Sequence, residues 1–130
     1  MNPMRISLIT PTYNERENLP LLAEEIFAIV GAEPDIDLEL IVVDDGSPDG
    51  TGEVAEELKA SYPLQVVHRA AKLGLGSAVM AGFALSDRPY LGVIDADLSH
   101  DPAILPELVH SLREYDIAMG SRFGETSRVE

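Results

Sequence analysis

Two aspartates follow an apolar run near the middle of the chain. Asp95 and Asp97 are separated only by Ala96, and they come directly after the segment Tyr90–Ile94. Carboxylates held close together repel each other unless a cation or a proton lies between them. Mg²⁺ prefers oxygen ligands and is usually held by one or two carboxylates together with substrate phosphates. The pattern predicts a divalent cation, Mg²⁺ or Mn²⁺, that joins Asp95 and Asp97 to a nucleotide diphosphate.

Acidic and aromatic residues also follow other apolar runs, and for several of them more than one interpretation stays open. Asp44 and Asp45 either contact a ligand or only shape a turn, and Tyr13 either stacks on a base or covers a loop. Asp49 and Asp101 are interpreted as turn formers or helix caps. His100 is either a ligand or, as the favoured interpretation, an exposed loop residue, and His68 and His110 are interpreted as structural or solvent-facing.

The elements that would position these residues alternate along the chain. Apolar runs predict strands at Ile6–Thr10, Leu38–Val43, Leu64–His68, Tyr90–Ile94 and Asp116–Met119. Helical spacing and cap signals predict helices at Glu15–Val30, Lys72–Ser86 and Pro102–Tyr115. A further helix, capped by Ser47 or Asp49, is predicted to run to Ser61. Strands that alternate with helices of this length predict an α/β fold, a three-layer α/β/α sandwich with a mainly parallel sheet.

Parallel strands bring their carboxyl ends to one edge of the sheet, and ligands bind there in open α/β sheets. The segments that would meet at this edge are 11–15, 44–47 and 95–97. The sequence therefore predicts one site formed by loops that lie far apart in the chain.

Composition restricts the classes of protein to be considered. The chain has 130 residues, no cysteine and a net charge of −14, which argues against nucleic-acid binding. It has no apolar run near the ~20 residues of a membrane-spanning helix and no secretory leader pattern, so we expect a cytoplasmic location. We expect one domain at 1–122 and a polar, flexible tail at 123–130.

Five motifs carry a resemblance to a known family. The segments PTYNERENLPLL, VVDDGSPDGT, KLGLGSA, DADLSHDP and GSRF occur in this order. Together they resemble the family 2 glycosyltransferases with the GT-A (nucleotide-diphospho-sugar transferase) fold, and among them the dolichyl- or polyprenyl-phosphate mannosyltransferases. The glycines of KLGLGSA alone would be a weak phosphate-binding signal, because the third glycine of the dinucleotide fingerprint is absent.

The resemblance implies a role for residues in the first three motifs. Pro11, Tyr13 and Glu15 match the loop that holds the base and ribose of the donor. Asp44 matches an acid that contacts the nucleotide, Asp45 supports it, and Lys72 matches a basic residue near the nucleotide.

The last two motifs are implied to hold the cation and the phosphates. Asp95, Ala96 and Asp97 match the acidic motif of the GT-A fold, with Asp97 as the direct metal ligand. Ser99 stands at a position of a weaker ligand that would act through water. Arg122 matches an arginine that faces the phosphate groups.

The reaction implied is the inverting transfer of mannose from GDP-mannose to a polyprenyl or dolichyl phosphate. The cation would neutralise charge on the departing diphosphate, and Arg122 would stabilise phosphate charge. The lipid phosphate is already anionic, so no strong general base is required. Asp97 and Arg122 are the residues implied to act in catalysis.

Related enzymes continue beyond the point where this sequence ends, and their further part carries much of the acceptor site. We therefore expect this chain to be the truncated, donor-binding half of the fold. We expect any membrane contact, at the cytoplasmic face, to be made through the missing part. An oligomer is one way to supply the missing surface.

Other interpretations are a UDP-sugar enzyme, a nucleotide-sugar-binding module without transfer activity and a nucleotidyltransferase. A receiver domain is disfavoured because its third strand should end in aspartate, whereas this one ends in His68 and Arg69.

Overall fold

The computed structural model describes residues 4–94, 96, 117–120 and 126–128. Three helices and six strands occur in these ranges. In chain order they are β1 (Met4–Thr12), α1 (Asn18–Val30), β2 (Ile36–Asp44), α2 (Thr51–Leu58), β3 (Leu64–His68), α3 (Leu75–Leu85), β4 (Tyr90–Val93), β5 (Ile117–Gly120) and β6 (Thr126–Arg128).

The strands form one sheet in the order β3-β2-β1-β4-β5-β6. All neighbours pair in parallel except β5 and β6, which are antiparallel. The predicted α/β class with a mainly parallel sheet is confirmed. Strand order reverses at β1, because β2 lies on one side of it and β4 on the other, and this reversal is where ligands bind in such sheets.

The two faces of the sheet are covered by different helices, which gives three layers. Side chains from α1 and α2 pack with one face of β1 and β2, and the members of this cluster include Ile6, Leu8, Leu22, Ile26, Leu40 and Ala55. Residues of α3 pack on the other face with Ile9, Ile41 and Val43. The central strands β1 and β2 are largely apolar on both faces because both faces are buried, as is usual in parallel sheets.

A buried polar cluster lies on the α3 side of the sheet, nearer the amino-terminal ends of the strands. Glu39 accepts hydrogen bonds from Ser7 Oγ (2.6 Å) and Gln65 Nε2 (2.7 Å). Arg88 Nε lies 3.2 Å from the Glu39 carboxylate, and its Nη1 also pairs with Asp37. Each oxygen of the buried carboxylate therefore has a donor, which offsets the cost of removing it from water.

Helix starts differ from the sequence-based boundaries because local backbone features intervene. The helix predicted from Glu15 begins at Asn18, and the helix predicted from Lys72 begins at Leu75, after Gly74 with a φ of 102°. The cap expected at Ser47 or Asp49 is wrong, because Gly50 occupies the N-cap of α2. The predicted helix Pro102–Tyr115 lies outside the described residues.

The segment expected to be a polar tail contains the edge strand β6. A strand of three residues has too short a pattern to be recognised from sequence periodicity. The predicted strand at Asp116–Met119 is confirmed, with its bounds shifted by one residue to Ile117–Gly120.

Candidate functional site at the carboxyl edge of the sheet

The carboxyl ends of the central strands are brought side by side by the register of the sheet. Thr12 pairs with Asp44 between β1 and β2, and Asp44 pairs with His68 between β2 and β3. On the other side of β1, the N–H of Ile94 donates to the Ile9 carbonyl at 2.9 Å. The loops after β1, β2, β3 and β4 therefore leave the sheet from one edge.

Asp44 is buried at this edge and is held by three donors. Its Oδ1 accepts hydrogen bonds from Thr12 Oγ1 (2.8 Å) and Ser47 Oγ (2.6 Å), and its Oδ2 accepts one from the Ser47 N–H (3.2 Å). The side chain is fixed in one orientation before any ligand arrives. Oδ2 also faces the start of α2, since a Cβ built at Gly52 would lie 3.1 Å from it.

Asp45 is engaged by one arginine. Arg69 Nε lies 2.6 Å from Asp45 Oδ1 and Nη2 lies 2.9 Å from Oδ2, a parallel two-bond contact of the strong, geometrically specific kind. Both side chains are largely buried, at 11% and 7% exposure. These hydrogen bonds to Asp45 raise the pKa of the Arg69 guanidinium above its usual value.

The turn after β2 touches the segment after β3 at a glycine. Gly46 has a φ of +68°, and a Cβ at this position would lie 2.9 Å from the Ala70 carbonyl oxygen. Any larger residue would be strained by its φ and would also push against this backbone atom. The two loops are thus packed together through their backbones.

Tyr13 and Lys72 meet above this edge. The Lys72 ammonium lies 4.8 Å from the centre of the Tyr13 ring, in a cation–π contact. Tyr13 is 39% exposed, so the ring keeps accessible surface. The contact brings a positive charge from the loop after β3 to an aromatic surface in the loop after β1.

The loops after β1 and β2 are hydrogen-bonded to each other. The N–H of Asn14 donates to Ser47 Oγ (2.9 Å) and the N–H of Glu15 donates to Thr51 Oγ1 (3.0 Å). The carboxylate of Glu15 accepts from Asn18 Nδ2 at 3.0 Å. Glu15 is thereby oriented at the start of α1, and Pro11 lies half-buried in the last part of β1.

Asp49 connects the same two loops. Desolvation alone would raise the pKa of Asp49. This effect is outweighed by hydrogen bonds from the Thr51 hydroxyl, the Thr51 N–H and the Arg16 N–H, and by the positive charge of Arg16. The pKa of Asp49 therefore lies below its usual value. The interpretation of Asp49 as a turn former agrees with these contacts, since the N–H of Thr51 donates to it at 3.0 Å.

Two concave regions lie beside these loops. One, of about 290 Å³, is bordered by the ends of β2 and β3 and the start of α2, with Asp44, Gly46, Ser47, Gly50, Gly52, Glu53, His68 and Arg69 around it. The other, of about 570 Å³, lies along residues 14–18 with Pro48 and Asp49.

His68 is exposed as expected, and its Nε2 pairs with the carboxylate of Glu56. The pKa of Glu56 is lowered by its hydrogen bonds with His68 and Lys59.

The structure therefore brings Pro11, Tyr13, Glu15, Asp44, Asp45 and Lys72 to one edge. The predicted residues Asp95, Asp97, Ser99 and Arg122 lie outside the described residues, while Ala96 is buried. Within residues 4–94, 96, 117–120 and 126–128, no group of three or more histidine, aspartate or glutamate side chains could hold a metal ion. The buried hydroxyl of Thr10, two residues before the end of β1, has no hydrogen-bond partner among the described residues.

Sequence reasoning missed Thr12, Ser47 and Arg69. The Thr12 hydroxyl reaches Asp44 because the register of β1 and β2 pairs these two residues, and the Ser47 hydroxyl reaches it within the turn that follows β2. A signal for Arg69 was present in its position directly after the third strand, where a charged residue reaches the same edge as Asp45.

Comparisons with known proteins show the family to which the chain is related. The model of glycosyl transferase family 2 matches residues 7–129. A dolichol-phosphate mannosyltransferase from Pyrococcus furiosus is 45% identical over 98% of this chain, and a polyprenol monophosphomannose synthase from Mycolicibacterium smegmatis is 45% identical over 92% of it. The aligned parts are 36% and 45% of those two proteins, so the chain spans less than half their length.

Solved structures share the fold. A mannosyltransferase from Pyrobaculum calidifontis in complex with GDP-Man and Mn²⁺ superposes with a TM-score of 0.66 at 27% identity, covering 86% of this chain and 33% of the other. A glucosyl-3-phosphoglycerate synthase from Mycobacterium tuberculosis, in complex with Mn²⁺, UDP and glucosyl-3-phosphoglycerate, gives 0.65 at 29% identity, covering 84% of this chain and 39% of the other. The predicted GT-A architecture is confirmed, and the chain corresponds to about a third of these folds.

Proposed function

Because this chain belongs to glycosyl transferase family 2, we propose that it forms the donor-binding part of an enzyme that transfers mannose from GDP-mannose to a polyprenyl or dolichyl phosphate with inversion. The observation that carries the proposal is the 45% identity to two synthases of this kind over nearly the whole chain. Since the chain covers less than half of each, the acceptor and the complete reaction belong to the proposal.

The described loops supply a site suited to a nucleoside. The Tyr13 ring offers a flat surface for a base, and the Asp44 carboxylate is a fixed acceptor for N–H or O–H groups. Pro11 and Glu15 line the same loop, and Asp45 supports it through Arg69. In this proposal the base and ribose lie between the loops after β1 and β2.

The diphosphate needs positive charge, because the chain as a whole carries −14. Lys72 brings one positive charge to the edge of the sheet, and Arg122 supplies a second in the proposal. Both would bind phosphate oxygens and stabilise the charge that develops on the leaving diphosphate, which is electrostatic catalysis.

A divalent cation fits the donor set that the sequence places directly after β4. Asp95 and Asp97 offer hard carboxylate oxygens and Ser99 a hydroxyl that would act through water, which suits Mg²⁺ or Mn²⁺. Two similar folds were solved with Mn²⁺. When bound, the cation would act as a Lewis acid that helps the diphosphate to leave.

The acceptor would be deprotonated before it binds. A phosphate monoester carries ~1.5 to 2 negative charges at pH 7. Its oxygen can therefore attack the sugar without a strong general base, and the task of the protein is to position the acceptor opposite the leaving diphosphate. A single displacement of this kind inverts the configuration at the sugar carbon.

The second candidate is a donor with uracil as the base. It is favoured by the similarity to the synthase solved with UDP, because the two folds match equally well by TM-score. A nucleotide-sugar-binding module without transfer activity would use the same donor site and would differ only in lacking turnover.

Calorimetric titration with GDP, UDP, GDP-mannose and UDP-glucose, each with Mn²⁺ and with EDTA, tests the proposal. We expect binding that requires Mn²⁺ and prefers guanine. A preference for uracil would move the donor to the second candidate. Absence of binding to all four by a folded sample would overturn the donor-site proposal for this chain.

The described residues include no helix that is long and apolar enough to cross a membrane. We propose that contact with the lipid acceptor is peripheral and takes place at the cytoplasmic face of a membrane, with the rest of the acceptor site supplied by further protein or by an oligomer.

A further inference from the structure

We propose that Arg69 is a positioning residue of the donor site, which acts by fixing the place of Lys72 rather than by touching the nucleotide. This inference rests on the proposed function, because it concerns how the charge that faces the diphosphate is held. It assigns a task to a side chain for which sequence analysis gave none.

The guanidinium of Arg69 is almost fully used within the protein. Of its five N–H donors, two bind the carboxylate of Asp45, one binds Ser77 Oγ at 2.6 Å, and another approaches the Gly74 carbonyl at 3.4 Å. Little donor capacity is left for a phosphate. An arginine with its hydrogen bonds directed inward acts as a connector between segments.

The segments that Arg69 joins are the end of β2 and the start of α3. Its own N–H donates to the Asp44 carbonyl at 2.8 Å, so the backbone of Arg69 is also fixed to β2. From this anchor the chain runs to Gly74 and Ser77, whose oxygens accept hydrogen bonds from the same guanidinium. The start of the connection and its end are therefore held by one side chain.

Lys72 lies inside this connection, and its neighbours give it little packing. Residues 70–77 are exposed, with Leu73 at 61% and Leu75 at 62%. A Cβ at Gly74 would meet nothing within 4 Å in the described structure. Among the described residues, the contacts that restrain this stretch include those of Arg69, the approach of Ala70 to Gly46, the hydrogen bond from the Ala78 N–H to the Gly74 carbonyl at 3.1 Å, and Lys72 on Tyr13.

It follows that the position of the Lys72 ammonium over the Tyr13 ring depends on the Arg69–Asp45 pair. Lysine cannot replace arginine here, because its compact ammonium cannot form two parallel hydrogen bonds to one carboxylate. Arg69→Lys keeps the positive charge but loses the paired hydrogen bonds to Asp45. The variant therefore distinguishes an effect of the charge at position 69 from an effect on the position of Lys72.

The test is a double-mutant cycle between positions 69 and 72, with the affinity for GDP and Mn²⁺ measured by calorimetry. We expect Arg69→Lys to weaken binding about tenfold in the wild-type background, and less than about twofold when Lys72→Ala is already present, within the coupling seen for interacting residues. If Arg69→Lys weakened GDP binding by the same factor with and without Lys72→Ala, the proposal would be overturned, because Arg69 would then contact the nucleotide itself or act elsewhere.

A matched control is Arg88→Lys. Arg88 is buried to a similar degree and is also bound to a carboxylate, but it pairs with Glu39 and Asp37, away from the carboxyl edge. We expect this variant to lower the thermal midpoint as Arg69→Lys does and to leave GDP affinity within about twofold of wild type. An equal loss of affinity in both variants would show a general loss of stability and overturn the proposal.

A readout without nucleotide keeps the inference separate from the proposed function. The side-chain protons of Lys72 should be shifted in NMR spectra by the Tyr13 ring, and Arg69→Lys should move these shifts towards unstructured values while Arg88→Lys leaves them unchanged. Unaltered Lys72 shifts in Arg69→Lys would overturn the positioning role. If wild type binds no nucleotide but Lys72 responds as expected, the proposed function fails and the positioning of Lys72 stands.

Discussion

Asp44 is the residue whose environment is most completely defined at the candidate site. Its carboxylate is buried at 3% exposure and accepts three hydrogen bonds from Thr12 and Ser47. Both hydroxyls direct their protons to the same oxygen, which only an acceptor can satisfy. The residue is thereby held as a fixed acceptor towards which a ligand donor could point.

We expect Asp44→Asn to lose stability as well as donor affinity. The asparagine amide keeps one acceptor oxygen, but its NH₂ group faces a group that already donates a hydrogen bond. We therefore expect the free energy of unfolding to fall by about 1–3 kcal/mol, the usual cost of an unsatisfied buried polar group. Urea denaturation measures this change. The control is Asp37→Asn, on the same strand, whose side chain is 49% exposed; an equal loss there would contradict the prediction.

The chemistry of single residues was predictable where it depends on residue type and sequence position. Asp44, Tyr13 and Lys72 are predicted from their motifs, and the structure brings them to one edge. The motifs do not reveal the contacts of Thr12 and Arg69, because these contacts depend on which strands are neighbours and in which register.

At the scale of elements, α3 is set close to the sheet by a glycine. A Cβ at Gly82 would lie 2.6 Å from Ile9 Cγ2 on β1. We expect Gly82→Ala to destabilise the protein by about 1–3 kcal/mol, because overpacking outweighs the roughly 1 kcal/mol of helix propensity gained. Chemical denaturation gives the value.

Gly76→Ala is the matched control in the same helix. A Cβ there meets nothing within 4 Å in the described structure, so propensity acts alone and stability should be equal or higher. If both variants behaved alike, close packing of α3 on β1 would not be the reason for Gly82.

The connection from the loop after β2 into α2 should be sensitive to acid. The pKa of Asp49 is lowered in the folded protein, so its hydrogen bonds to Thr51 stabilise the fold fully above the usual aspartate pKa of 3.8 and are lost as the pH falls through the lower folded value. We expect Asp49→Asn to reduce the loss of stability between neutral pH and acid. Denaturation at several pH values measures the slope, and an equal slope in wild type and Asp49→Asn would contradict the prediction.

The types and order of the described elements from β1 to β5 were predictable, and their ends were less so. Strand β3 was predicted at its observed bounds because apolar residues and turn signals coincide there. The start of α3 was misjudged because Lys72 and Leu73 have helical propensity, whereas the φ of 102° at Gly74 lies outside the helical region. Edge strand β6 pairs with β5 through its backbone, and sequence periodicity does not reveal such pairing.

At the scale of the whole molecule, charge determines which surfaces the chain can approach. A net charge of −14 should oppose adsorption to anionic lipid. We expect this chain to co-sediment no better with vesicles rich in phosphatidylglycerol than with vesicles of phosphatidylcholine, at low and at physiological salt. Preferential binding to the anionic vesicles would show a local basic surface strong enough to overcome the net charge.

The strand order has a consequence for the time at which the site can form. Strand β1 is the first element of the chain, yet it pairs on one side with β4, so that Ile6 meets Tyr90. This pairing closes a long loop, and contacts between distant parts of a chain are slow to form. During synthesis, the β1–β2–β3 unit can assemble while the residues after β4 are still to be made. In the proposed site, the cation-binding part after β4 would thus form later than the nucleoside-binding loops after β1 and β2, and a ligand that bridges β1 and β4 would stabilise the finished fold against reopening at that junction.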